Sequence, residues 1–143
     1  MPRPKTSRPP KTVLQIATTP HVRTEKDEEK LCDQLARKCG WQVVRFSQAR
    51  ATMQTEGIPD RLYVNAQHKT AMWWEVKRAG GQLTRAQYEL LCALNACGHR
   101  VGCGTLEDFT AVLAGRFHPI ITVTNWADRG FRGEPKPKKE KAK

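Results

Sequence analysis

Two β-rich runs joined by one short polar connection constrain this chain more than any other feature. Asp60 to Asn65 (DRLYVN) and Ala71 to Lys77 (AMWWEVK) have the length and composition of strands, with Gln67-His68 midway between them. An antiparallel pair turned about that midpoint has a fixed register, in which Asp60 falls opposite Glu75. Residues opposed in this way have Cβ atoms about 4.5–5.5 Å apart on one face. Lys77, two residues beyond Glu75, shares that face, while Trp74 and Val76 point to the other. Pro59 holds Ile58 extended and so fixes the approach of the strand bearing Asp60.

Two neighbouring carboxylates repel unless a cation lies between them. A lysine supplies part of that charge and a divalent metal supplies more. Magnesium takes oxygen ligands at about 2.0–2.1 Å and commonly binds one or two carboxylates beside a phosphate oxygen. Asp60, Glu75 and the Val76 carbonyl form the expected donor set, with Lys77 placed to offset charge on a reacting phosphate. The plain alternative is a hairpin whose Asp60 or Glu75 makes a surface ion pair with Lys77. The order of Pro-Asp, Glu-Val-Lys and the following Thr84-x-x-Gln87 favours the catalytic reading.

Around this hairpin the chain alternates between helical and extended patterns. Thr24 is a good N-cap before acids in a first helical turn, and Leu31, Cys32, Leu35 and Cys39 make one apolar stripe ending at Gly40. Glu28 lies one turn before that stripe on the inward face; Glu25 and Glu29 compete with it. Trp41–Phe46 reads as a strand and 47–56 as a polar loop. Thr84 caps a second helix through Asn95, with Gln87 as its one polar residue near the site end. Arg100–Gly104 is expected to return as a strand parallel to 71–77, and Leu106–Phe117 as a third helix. Pro119–Val123 is expected as a strand or docked extension.

Charge is unevenly spread along the 143 residues, whose net formal charge is +11. Residues 1–23 carry five Lys/Arg and no acids, and 127–143 carry seven against three, while 24–126 are nearly balanced. The expected organisation is a basic arm over 1–23 with a short strand near 12–17, one folded domain over 24–125, and an unfolded basic tail over 126–143. Such a balance points to a polyanion, nucleic acid before membrane, and no apolar run approaches the ~20 residues of a span. Five cysteines without a CxxC pair or a signal peptide suggest reduced thiols in a cytoplasm, buried as small hydrophobes. Trp73 and Trp74 are expected to pack opposite faces of the sheet. Arg45, Arg50, Arg61, Arg78 and Arg85 surround the proposed site and are candidates for phosphate contact.

The segments GIPD, WWEVKRAGG and LTRAQ, in this order, resemble the PD-(D/E)xK nuclease superfamily, and in particular its VRR-NUC family, over roughly Glu28 to Thr105. The resemblance implies an α/β fold with a restriction-endonuclease-like αβββαβ core, a central mixed sheet flanked by helices. It also implies a magnesium-dependent DNA endonuclease, with manganese able to substitute. Asp60, Glu75 and Lys77 would be the core triad, Gln87 the supporting helix residue, and Glu28 the first-helix glutamate. Small standalone members resemble Holliday-junction resolvases, tend to be homodimers and are often phage-encoded. By that likeness the substrate is branched DNA, a junction or flap, met in a bacterial or phage-infected cytoplasm. The rival readings are a sequence- or damage-directed nuclease of the same superfamily and a basic nucleic-acid-binding protein without catalysis.

Overall fold

The register expected for the hairpin is the register found. In the computed structural model, which describes residues 22–46 and 56–135, strand β2 (Arg61–Asn65) pairs antiparallel with β3 (Thr70–Val76), Arg61 facing Trp74 and Asn65 facing Thr70. Strand β1 (Gln42–Arg45) lies antiparallel on the far side of β2, and β4 (Arg100–Gly104) lies parallel to β3. The result is a four-stranded mixed sheet in the order β1-β2-β3-β4.

Helices flank both faces, because strand alternation sends successive apolar residues to opposite sides. Helix α1 (Glu25–Lys38) begins with a capping box in which Thr24 Oγ1 accepts from the Asp27 amide and Asp27 accepts from the Thr24 amide. Cys32 and Ala36 of α1 and Phe109 and Val112 of α3 (Leu106–Leu113) pack on Tyr63, Met72, Trp74 and Val76. On the other face, Leu91 of α2 (Arg85–Ala96) and Val123 and Trp126 of α4 (Ile120–Ala127) pack on Val101 and Cys103, with Trp73 alongside. Trp73 and Trp74 thus serve opposite cores.

The C-terminal part differs from expectation. Residues 120–127 are helical although Ile-Ile-Thr-Val is a β-branched run. Tertiary packing overrides the propensity: Val123 and Trp126 sit one turn apart and share the face turned to the sheet. Thr122 Oγ1 accepts from the Cys103 amide at 2.9 Å, satisfying a donor on the open side of β4. The fold also runs past 125. Trp126 is buried, its Nε1 donates to Asp108 at 3.1 Å, and residues 129–134 are tied to the 79–85 loop by Arg132 N–H to the Leu83 carbonyl (2.8 Å) and an Arg85–Glu134 ion pair. Helix α3 stops at Leu113, short of Phe117. Cys32 and Cys103 are buried, but Cys39 and Cys97 are exposed because each forms the C-cap where a helix stops. No described helix is long and apolar enough to cross a membrane. The expected strand near 12–17, Arg50, most of the 47–56 loop and the tail beyond 135 lie outside the described residues.

Candidate functional site

Four polar residues are buried together just past the end of the β2–β3 ladder: Asp60 is 9% exposed, Glu75 1%, Lys77 5% and Gln87 9%. Burying charged and amide groups is costly unless they are paired, so each needs its partners named. The Asp60 amide donates to Glu75 Oε2 at 3.1 Å, and the Val76 amide donates to Asp60 Oδ2 at 3.2 Å. Each carboxylate is therefore pinned by the backbone of the opposite strand. Gln87 Nε2 donates to Glu75 Oε1 at 2.9 Å, and Lys77 Nζ lies 3.6 Å from the same oxygen.

Local sequence explains why these groups converge. Thr84 caps α2, and Gln87, at the third helical position, closes the capping box by accepting from the Thr84 amide, which leaves its amide nitrogen free for Glu75. Gly57 lets the 56–60 segment sit directly on that first turn. Its φ of +88° suits glycine, and a Cβ there would lie 2.5 Å from the Ala86 carbonyl oxygen. Across β3, the Lys77 amide donates to the Gly104 carbonyl, extending the β3–β4 pairing to the lysine itself.

The electrostatics follow from crowding. Burial, and then the charge of Asp60, push the Glu75 carboxyl well above its usual range, with Lys77 pulling the other way. Burial also raises Asp60, opposed by a hydrogen bond with Glu75, by the Val76 amide and by the charge of Lys77. One ammonium does not neutralise two desolvated carboxylates.

Helix α1 adds two more acids. Carboxylate oxygens of Glu25, Glu29 and Asp60 lie within 4.8 Å of one another. Burial raises Glu29 as well, with Arg61 opposing and Asp60 adding to the rise. Glu28, the expected first-helix ligand, is not among them. Its Oε2 accepts from the Leu106 amide at 2.7 Å and its Oε1 from Arg23 Nε at 2.8 Å, so it ties α1 to the start of α3. Helical geometry gives the reason: adjacent residues point about 100° apart, so Glu28 turns to the core while Glu29 turns to Asp60.

The arginines divide likewise. Arg61 is buried: its Nε donates to Asp33 Oδ1 at 2.9 Å and its NH1 to the Asp60 carbonyl at 3.0 Å, a brace beneath the site and not an exposed phosphate contact. Tyr63 OH shares Asp33 Oδ1 at 2.9 Å, and burial drives that phenol far above its usual range. Arg45 NH2 lies 3.2 Å from Asp33 Oδ2, an ion pair whose angle leaves that oxygen without a hydrogen bond. Arg85 pairs with Glu134 and stacks over Phe131, while Arg78 is exposed beside Lys77. Of the three first-helix glutamates open in the sequence, Glu25 and Glu29 are the ones beside Asp60. Asp33 has no signal of its own there, although 25, 29 and 33 recur at i, i+4 and form an acidic stripe beside the apolar one.

Comparison with protein-family models, with curated proteins and with solved structures finds no match.

Proposed function

We propose that this chain is a metal-dependent DNA endonuclease, hydrolysing phosphodiesters at the end of the sheet where Asp60, Glu75 and Lys77 meet. The observation that carries the reading is the burial of two opposed carboxylates, a lysine and a glutamine in one bonded set, with two further acids at its edge. A purely structural hairpin has no need for so many desolvated charges. The order α1-β1-β2-β3-α2-β4 is the αβββαβ order that a restriction-endonuclease-like core would have.

The donor chemistry fits magnesium, or manganese in its place. Glu25, Glu29 and Asp60 offer hard oxygens within 4.8 Å of one another, against the roughly 3–4 Å between ligand oxygens of an octahedral ion at about 2.1 Å. When bound, the ion supplies Lewis-acid polarisation of a phosphate oxygen and offsets the carboxylate charge. The protein's own groups do the positioning. Lys77 Nζ, held against Glu75, faces the charge that develops on the phosphate. Glu75, with Oε2 held by the Asp60 amide and Oε1 by Gln87 and Lys77, is the inner carboxylate that keeps Lys77 beside Asp60. Gln87 locks the Glu75 rotamer, and the Val76 amide locks that of Asp60.

Branched DNA, a junction or flap, is the substrate class we assign, with a homodimer placing two sites for paired nicks. The test is a panel of matched junction, flap, splayed-arm and linear DNAs, with magnesium and with manganese, cut by wild type and by Asp60→Asn. Cutting by wild type alone supports the reading. If no DNA of any form is nicked, the chain is a basic binding protein, and its buried acids need another explanation.

A further inference from the structure

Two hollows lined by cations border the acidic cluster, each with one of its glutamates in the lining. The first, of about 440 Å³, is lined by Lys26, Lys30 and Arg37 of α1 together with Glu29 and the Asp33–Arg61 brace. The second, of about 290 Å³, is lined by Lys77, Arg78 and Arg132 with Glu25. Glu29 belongs to the first hollow and Glu25 to the second, yet both approach Asp60. Lys26, Lys30, Arg37, Arg78 and Arg132 make no ion pair with any described residue, whereas Arg45, Arg61 and Arg85 are all engaged. Among the described residues, five uncommitted cations around Glu25, Glu29 and Asp60 make a charge pattern that a polyanion crossing the acids would complement.

We infer that the two hollows are one track, in which Lys26, Lys30 and Arg37 on one side and Arg78 and Arg132 on the other hold a DNA backbone across the bond presented to Asp60. The inference rests on the nuclease reading and names the surface that holds its substrate. Lys26 and Lys30, one turn apart, face the phosphates on one side; Lys30 and Arg37 follow the same flank of α1 at two-turn spacing. Arg132 supplies the other side from the C-terminal segment, whose backbone is already fixed by its hydrogen bond to Leu83. Contacts of this kind position a strand without reading its bases.

The experiment uses the full chain carrying Asp60→Asn, so that binding is measured without cutting. Affinity for a closed circular DNA and for a linear duplex of equal length is followed across a salt series. Lys30→Glu with Arg37→Glu should weaken binding about tenfold and flatten the log–log salt slope by about 2, and Arg132→Glu should flatten it by about 1. Circular and linear DNA should compete equally. Unchanged affinity and slope in either variant, with an unchanged melting temperature showing that it folds, would overturn the track, as would binding that requires an end. Wild-type protein that binds through both hollows yet cuts nothing would sink the nuclease reading and leave the track standing.

Discussion

The two ends of the β2–β3 ladder are built by the same alternation and meet opposite surroundings. At one end the strands close through Ala66–Lys69, all exposed, with Lys69 at a positive φ of 53° and the His68 amide donating to Asn65 Oδ1. Asn65 is buried but its side-chain oxygen is paired, and the other polar groups there are in water and cost little. At the other end the same ladder runs on into Asp60, Glu75 and Lys77, which α2 and the 56–60 segment cover. A buried charge is expensive, and a fold that gathers several at one point stores an unmet demand for a counter-ion. Asymmetry between the ends, more than the presence of acids, is what marks one of them as a site.

Substitutions at the two ends should therefore differ in kind, and the largest difference is expected in cutting. Lys77→Ala should lower cleavage by roughly 10²–10³-fold while leaving DNA affinity nearly unchanged, read by single-turnover kinetics beside a binding assay. Parallel losses of affinity and rate would make Lys77 an ordinary binding lysine.

Next in size is the cost of the crowded acids. A carboxyl raised in the fold keeps its proton where the unfolded chain has lost its own, so stability falls as pH rises from the ordinary glutamate range, 4.5, towards the raised value of Glu75. In metal-free buffer, wild type should lose stability over that interval, and Glu75→Gln should lose less. Denaturant melts at several pH values measure this; equal slopes for both proteins would remove the electrostatic argument.

A third comparison separates adjacent residues. Glu28→Gln should cost about 1–2 kcal/mol of stability, because it weakens the cap on α3 and the partner of Arg23, while leaving manganese affinity intact. Glu29→Gln should do the reverse, lowering manganese affinity with little change in melting. Calorimetric titration and thermal melts on the same pair decide it. At the turn end, His68→Ala should stay within about 0.5 kcal/mol of wild type in stability and leave cutting unchanged. Loss of cutting there would show that the two ends do not act separately.

The hairpin was legible because strand alternation has a period of two and the connection is short, so one choice of centre fixed every pair from Arg61–Trp74 to Asn65–Thr70. Parallel pairing of Arg100–Gly104 followed from the helix between the strands. The role of Glu28 was not legible. Its partner, the Leu106 amide, is 78 residues away, and an apolar stripe locates an inward face without saying what waits there. The helix at 120–127 was hidden by its β-branched composition, since the contacts that make it helical are Trp126 to Asp108 and Thr122 to Cys103. Arg61, a candidate phosphate contact in the sequence, is instead buried on Asp33, and nothing local reveals that partner.

Anomalous diffraction from crystals soaked in manganese tests the central claim most directly. The account predicts one strong peak within bonding distance of carboxylate oxygens from Asp60, Glu25 and Glu29, absent from Asp60→Asn crystals. An empty cluster, with Lys77 and the acids simply paired to each other, would contradict it.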